Sequence, residues 1–160
     1  MVERCVGCGL EVDVIDGPTH RYITSAPGCW ALYGELLAVL SADRRMQSAL
    51  VMCVDSYAVE HPGTPNPQAI QSVAVHLINM HGYLVRGRPI APPRLAGHKG
   101  AFHWLTPPAV PANRTVRSVP LGGSAGDIVE AARMWVESAW AAWESHHAQV
   151  DAWAALYSRS

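Results

Sequence analysis

The sequence predicts a mainly α-helical protein, a small bundle with an N-terminal Cys-x-x-Cys-Gly knuckle and one long loop rich in proline and glycine. Three observations carry this. Apolar residues recur at helical spacing in successive segments between Ser25 and Arg86. The stretch from Asp127 onward holds neither proline nor glycine. Strand-like alternation is confined to Glu11-Val12-Asp13-Val14-Ile15. With 160 residues, 49% apolar and 16% charged, the chain has the length and composition of one domain that can bury a core.

The elements follow in order. Residues 1–24 read as a knuckle and an extended segment closed by the turn Asp16-Gly17-Pro18. Residues 25–86 read as three helices. The first opens at Ser25 as N-cap with Pro27 in the first turn, and carries Trp30, Tyr33, Leu36, Leu37 and Leu40. The second spans roughly Asp43 to Glu60 and stops at His61-Pro62-Gly63. The third restarts at Asn66-Pro67 and repeats Ile70, Val73, Leu77, Met80 and Leu84. Residues 87–123 form a loop or lid, with one turn of helix expected near Leu95; loops of this length tend to carry function. Residues 124–158 are expected to be one helix of about 30 residues, capped by Ser124 with Asp127 three positions on. At ~1.5 Å per residue it would measure ~45 Å, against ~40 Å for a globule of this size.

Composition narrows the function. A net charge of −1 gives no broad attraction to nucleic acid or to an anionic membrane. No stretch has the length of a membrane span, and the opening residues lack the apolar run of a signal peptide. A cytoplasmic location is therefore expected. In that compartment Cys-x-x-Cys points to metal or redox chemistry more than to a structural disulfide.

The chemistry-bearing residues are cysteines and histidines. Cys5 and Cys8 sit two residues apart with Gly9 behind them, so a tight turn can aim both sulfurs at one ion. Cys29 falls in the first turn of the first helix, where the helix dipole favours a thiolate and suits either a ligand or a nucleophile. Cys53 lies in an apolar run and is expected in the core. The metal ligands expected are Cys5, Cys8, Cys29, His61, His76, His146 and His147, with zinc or another divalent transition metal as the ion. His61, His76 and one member of the His146-His147 pair are expected to face one interior site, because three helices each place a histidine beside an apolar stripe. Which histidine completes the cysteine site stays open. Asp55 and Tyr57 are the catalytic candidates, the first as a base or as a partner to a metal-bound histidine, the second as an acid or substrate anchor.

These residues also carry a resemblance. The strings Cys5-Val6-Gly7-Cys8-Gly9, Cys29-Trp30, Val54-Asp55-Ser56-Tyr57-Ala58-Val59-Glu60-His61-Pro62-Gly63, Gln71-Ser72-Val73-Ala74-Val75-His76-Leu77 and Trp140-Ala141-Ala142-Trp143-Glu144-Ser145-His146-His147 resemble a bacterial family catalogued as domain of unknown function 5946. The resemblance spans almost the whole chain and implies no established activity. Glu60 stands where the family's pattern favours glutamine. In layout alone, histidines on separate helices are similar to the DinB-like metal-dependent hydrolases and thiol transferases.

Two functions compete. One is a small-molecule enzyme whose metal, held by histidines from several helices, activates water or a thiol beneath the loop. The other is a structural zinc protein in which the cysteines and one histidine close a four-ligand site, and interaction runs through the aromatic C-terminal helix. An open coordination position facing a pocket marks the first, and a closed site the second. A thiol-redox role for Cys5 and Cys8 ranks third, since the strand-then-helix setting of such motifs is missing.

Trp135, Trp140, Trp143 and Trp153 crowd the last segment. If they lie on an overlong helix they offer an interface, so a homodimer is expected. Light scattering at micromolar concentration checks this: a doubled mass supports it, and a mass near 17 kDa refutes it.

Overall fold

A computed structural model describes residues 1–94 and 101–157. The chain starts with a two-stranded antiparallel hairpin, β1 (Val2–Arg4) and β2 (Glu11–Asp13), in the register Glu3 opposite Val12. Val12 turns inward onto the core and its neighbours outward, the period-two pattern read from the sequence. Strands of three residues are too short to stand alone. They need the helices behind them.

Those helices are α1 (Pro27–Ser41), α2 (Gln47–Glu60), α3 (Pro67–Leu84), α4 (Ala125–Ala142) and α5 (His147–Tyr157). The protein is mainly helical, as expected. α2 lies at the centre, packed against α1, α3 and α4, while α5 folds onto α3. Nine of its fourteen residues are buried, which explains why its sequence shows no clean polar stripe.

The helix starts follow the caps. Asn66 accepts the N–H of Ala69 at 2.9 Å, and Ser124 that of Asp127 at 3.1 Å. The second helix enters through a 3₁₀ turn, Arg44–Met46, capped by Asp43, whose carboxylate accepts the N–H of Arg45. α1 departs by one residue: its N-cap is Ala26, not Ser25. The N–H of Ala26 points at the sulfur of Cys5, at 3.4 Å. The knuckle therefore fixes where this helix begins.

The C-terminal segment is not one helix. α4 ends at Ala142, a 3₁₀ turn covers Glu144–His146, and α5 starts afresh at His147. At the break the carbonyl of Trp140 accepts the N–H of Trp143 at 3.1 Å and the Nε2–H of His147 at 2.9 Å. Bending lets Val150 and Trp153 enter the core, and lets Asp151 accept from His81 of α3 at 2.9 Å. Trp135, Trp143 and Trp153 are buried within the single chain. Trp140, the fourth tryptophan of the segment, stays half-buried.

The described part of 87–123, chiefly residues 101–123, acts as a strap. Leu105, Val116 and Val119 are buried. Thr106 accepts from His146 at 2.8 Å, and Asn113 accepts from Ser138 at 2.7 Å. Its one described helical turn is Val116–Ser118, with a reciprocal capping box between Thr115 and Ser118. The turn expected near Leu95 lies outside the described residues. No helix among the described residues is long and apolar enough to cross a membrane.

Gly34 sits in the middle of α1, exposed, and a methyl group there would meet nothing within 4 Å. Gly34→Ala should raise stability by about 0.5–1 kcal/mol, by restricting the unfolded chain and improving helix propensity. Denaturant unfolding checks it, and a loss of stability would mean that α1 is not a regular helix there.

Candidate metal centre

The hairpin loop is a tight turn. Cys5 N–H donates to Leu10 O at 2.8 Å, and Gly9 N–H to Cys5 O at 2.9 Å, with Gly9 at φ +75°. The turn aims Cys5 and Cys8 inward. Cys29 projects from the first turn of α1, and His61 leaves the C-terminal end of α2. The four residues meet: one ligand atom from each lies within 4.8 Å of all the others.

The separations carry information. Cys8 Sγ and Cys29 Sγ are 3.8 Å apart, and Cys29 Sγ lies 3.6 Å from His61 Nε2. Bonds of about 2.3 Å to sulfur and 2.05 Å to nitrogen, set at tetrahedral angles, place such atoms ~3.8 and ~3.55 Å apart. The pairs have the spacing of ligands around one tetrahedral ion. The cysteines are free thiols rather than a disulfide. All four residues are buried: Cys5 2%, Cys8 5%, Cys29 0% and His61 0% exposed.

Neighbours prepare the donors. His61 Nδ1–H donates to the carbonyl of Tyr57 at 2.7 Å, which leaves Nε2 with its lone pair toward the sulfurs. The imidazole stacks on the Tyr57 ring, centroid to centroid 3.9 Å. Tyr57 O–H donates to Cys29 Sγ at 3.4 Å. Gly7 is required by close approach: a Cβ there would collide with the His61 ring and the Thr24 carbonyl. Without a cation the thiols disturb one another. Hydrogen bonds from Cys29 and Cys8 hold Cys5 far below the usual thiol range, while Cys8 is pushed up by its bonds to Cys29 and Cys5 and by burial. Cys29 rises to about 11, first through its bond to Cys5 and then through burial. A divalent ion removes this conflict by stabilising every thiolate at once.

His61 therefore joins the cysteines, and among the described residues it shares no site with His76 or with either member of the His146-His147 pair. His76 Nδ1–H donates to Asp55 Oδ1 at 2.6 Å. His146 donates to the Thr106 carbonyl, and His147 to that of Trp140 while stacking on its indole at 3.9 Å. Each imidazole satisfies a local acceptor instead of converging on an ion. The catalytic candidates are similarly engaged. Tyr57 is buried against the thiols, and burial raises its phenol well above the ordinary range. Asp55 is 0% exposed and accepts from three groups of α3: His76, Asn79 at 2.8 Å and Tyr83 at 2.8 Å. Three donors turn a costly buried carboxylate into a bolt between α2 and α3. Residues 76, 79 and 83 lie on one helical face, a spacing that could have been read as a polar stripe aimed at Asp55.

One residue that the sequence reading left without a role also faces the centre's surroundings. Glu60 is buried beside His61, its Oε1 accepting Trp135 Nε1–H at 2.9 Å, and burial lifts its carboxyl to about 8. Nothing in the local sequence marks Trp135 as its partner, since 75 residues separate them.

The Asp55 bolt makes a prediction. Asp55→Ala removes the shared acceptor of His76, Asn79 and Tyr83, leaving the buried Tyr83 hydroxyl unpaired while Asn79 keeps the Ala91 carbonyl, and should cost about 2–4 kcal/mol. Tyr83→Phe removes one donor and should cost about 1–2 kcal/mol. Urea denaturation reads both, and equal small losses would mean that the network carries no weight.

With the geometry in hand, the chain can be set beside known proteins. No curated protein matches it, and no solved structure does. The sequence model of a family of unknown function, DUF5946, matches residues 3–144. The knuckle, α1 to α3, the strap and all of α4 fall within that span, and the chain belongs to the DUF5946 family.

Proposed function

We propose that the protein is a zinc-stabilised helical scaffold, in which Cys5, Cys8, Cys29 and His61 would hold one structural zinc ion. The observation that carries this is the match of the Cys8–Cys29 and Cys29–His61 separations, 3.8 and 3.6 Å, to a tetrahedral sulfur–nitrogen set. Three soft thiolates and one imidazole favour zinc over hard, oxygen-seeking cations. Four protein ligands fill a tetrahedron, so no position is left for water or substrate, and this separates a structural ion from a catalytic one. Burial of all four residues supports the same reading.

The role follows from what the ligands join. Two come from the hairpin loop, one from the start of α1 and one from the end of α2. The ion therefore cross-links a segment too small to fold alone to the first two helices, and its binding energy becomes folding energy. When bound it supplies charge neutralisation to the thiolates and no reaction step.

Elemental analysis tests the proposal. One zinc per chain is expected. Cys5→Ser with Cys8→Ser should lose the metal and several kcal/mol of stability, and His61→Ala should weaken metal retention, whereas His76→Ala should keep a full complement. A metal-free wild type whose melting is unaffected by the double substitution would end the proposal. Loss of metal in His76→Ala would show that the ligand set is wrong.

A further inference from the structure

A net charge of −1 hides an uneven distribution along the chain. From His61 to Gly126 there is no aspartate and no glutamate, while the same stretch carries Arg86, Arg88, Arg94, Lys99, Arg114 and Arg117. Positive charge without counter-charge in its own segment favours anions near it.

A cavity of about 220 Å³ lies within this stretch, between the second half of α3 and the extended segment 88–94. Two hydrogen bonds hold the segment against the helix. Arg88 N–H donates to Gly82 O at 3.0 Å, and Asn79 Nδ2–H donates to Ala91 O at 3.0 Å. Asn79 and Tyr83 line the helix side, each fixed from behind by donating to Asp55. Pro89, Pro92 and Pro93 line the other side, and their locked φ angles keep that wall rigid before any ligand arrives.

The charged side chains among the described residues lining the cavity are Arg88 and Arg94, both exposed, and none is acidic. The Asp55 carboxylate behind the helix side is 0% exposed and accepts from three donors, so its charge is already met. Gly82 keeps the space open. A Cβ there would have one neighbour outside its own helix within 4 Å, Arg88 Cδ at 3.7 Å. The stem of Arg88 therefore runs along α3 past Gly82, at the edge of the cavity.

We propose that this cavity binds a small organic phosphate, a phosphomonoester on a compact apolar body, whose phosphate oxygens are met by the Arg88 and Arg94 guanidinium groups. Guanidinium forks make paired, charge-assisted hydrogen bonds to phosphate oxygens. Two cations with no acid beside them match a dianion better than a monoanion. Ile78, the Tyr83 ring and the prolines supply apolar surface for the rest of the ligand. A cation would meet like charge. The cavity is smaller than the ~300–1,000 Å³ of sites for drug-sized ligands, so the body must be compact. None of the lining residues is a candidate metal ligand, and the site stands apart from the zinc reading.

Phenyl phosphate is a suitable probe, titrated into the full chain by calorimetry at low ionic strength. Inorganic phosphate lacks the apolar body, phenol lacks the charge, and benzoate is a monoanion. Saturation at one site is expected for phenyl phosphate, about tenfold or more tighter than for any of the three controls. Arg88→Gln and Arg94→Gln should each weaken it about tenfold or more. Gly82→Leu, which fills the cavity and keeps both charges, should weaken it as much. Arg114→Gln takes a charge from the same acid-free stretch but does not line the cavity, and should have little effect. Failure to saturate, a control that binds as tightly as the probe, or unchanged binding in either cavity arginine variant would overturn the proposal. So would an equal loss in Arg114→Gln, which would mean attraction to diffuse charge. If Gly82→Leu does not fold, the arginine variants and the ligand controls decide.

Discussion

The constraint on which the rest depends is the convergence of three sulfurs and one imidazole nitrogen within 4.8 Å. Four donors this close, drawn from three elements, fix the hairpin, the start of α1 and the end of α2 relative to one another. Local consequences follow outward from that point. The N–H of Ala26 turns to the Cys5 sulfur and sets the first residue of α1. Gly7 has no side chain because the His61 ring occupies the space. Tyr57 stacks between His61 and Tyr33, at 3.9 and 3.8 Å, and carries the order of the centre into the core.

α2 holds the molecule together by a different means at each level. Its apolar residues bury against α1, α3 and α4 through the non-directional hydrophobic effect. Its polar residues act directionally. Asp55 pins α3 through three donors, and Glu60 pins α4 through Trp135. Together with His61 these give one helix three distinct buried polar anchors, each to a different part of the chain. Such anchors contribute less to net stability than to uniqueness, because any other packing leaves a charge or a donor unpaired. Asp55 accepts from three donors and Glu60 from one.

Much of this was legible beforehand. Asn66-Pro67, Ser124 with Asp127, and His61-Pro62-Gly63 announced helix boundaries, because capping and proline chemistry act over three or four residues. The knuckle announced a cysteine cluster that could hold a metal, because two thiols at that spacing need only a local turn. The break at Trp143 was not legible. No glycine or proline marks it, and it exists because α5 gains burial for Val150 and Trp153 by folding onto α3. Histidine roles were not legible either: all those considered lie near apolar stripes, and periodicity reports the face of a helix but not the acceptor opposite it.

By itself, then, the sequence determined the helical class, the caps that start α3 and α4, the Cys-x-x-Cys turn and the absence of any strong charge bias. These rest on interactions between near neighbours in the chain, or on composition. Tertiary structure alone decided that His61 completes the cysteine set, that His76 serves Asp55, that His146 and His147 serve backbone carbonyls, and that Trp135, Trp143 and Trp153 are buried within one chain. Each of these joins residues well separated in sequence or turns on how whole helices pack, and a buried polar group takes whichever partner that packing brings within hydrogen-bond reach.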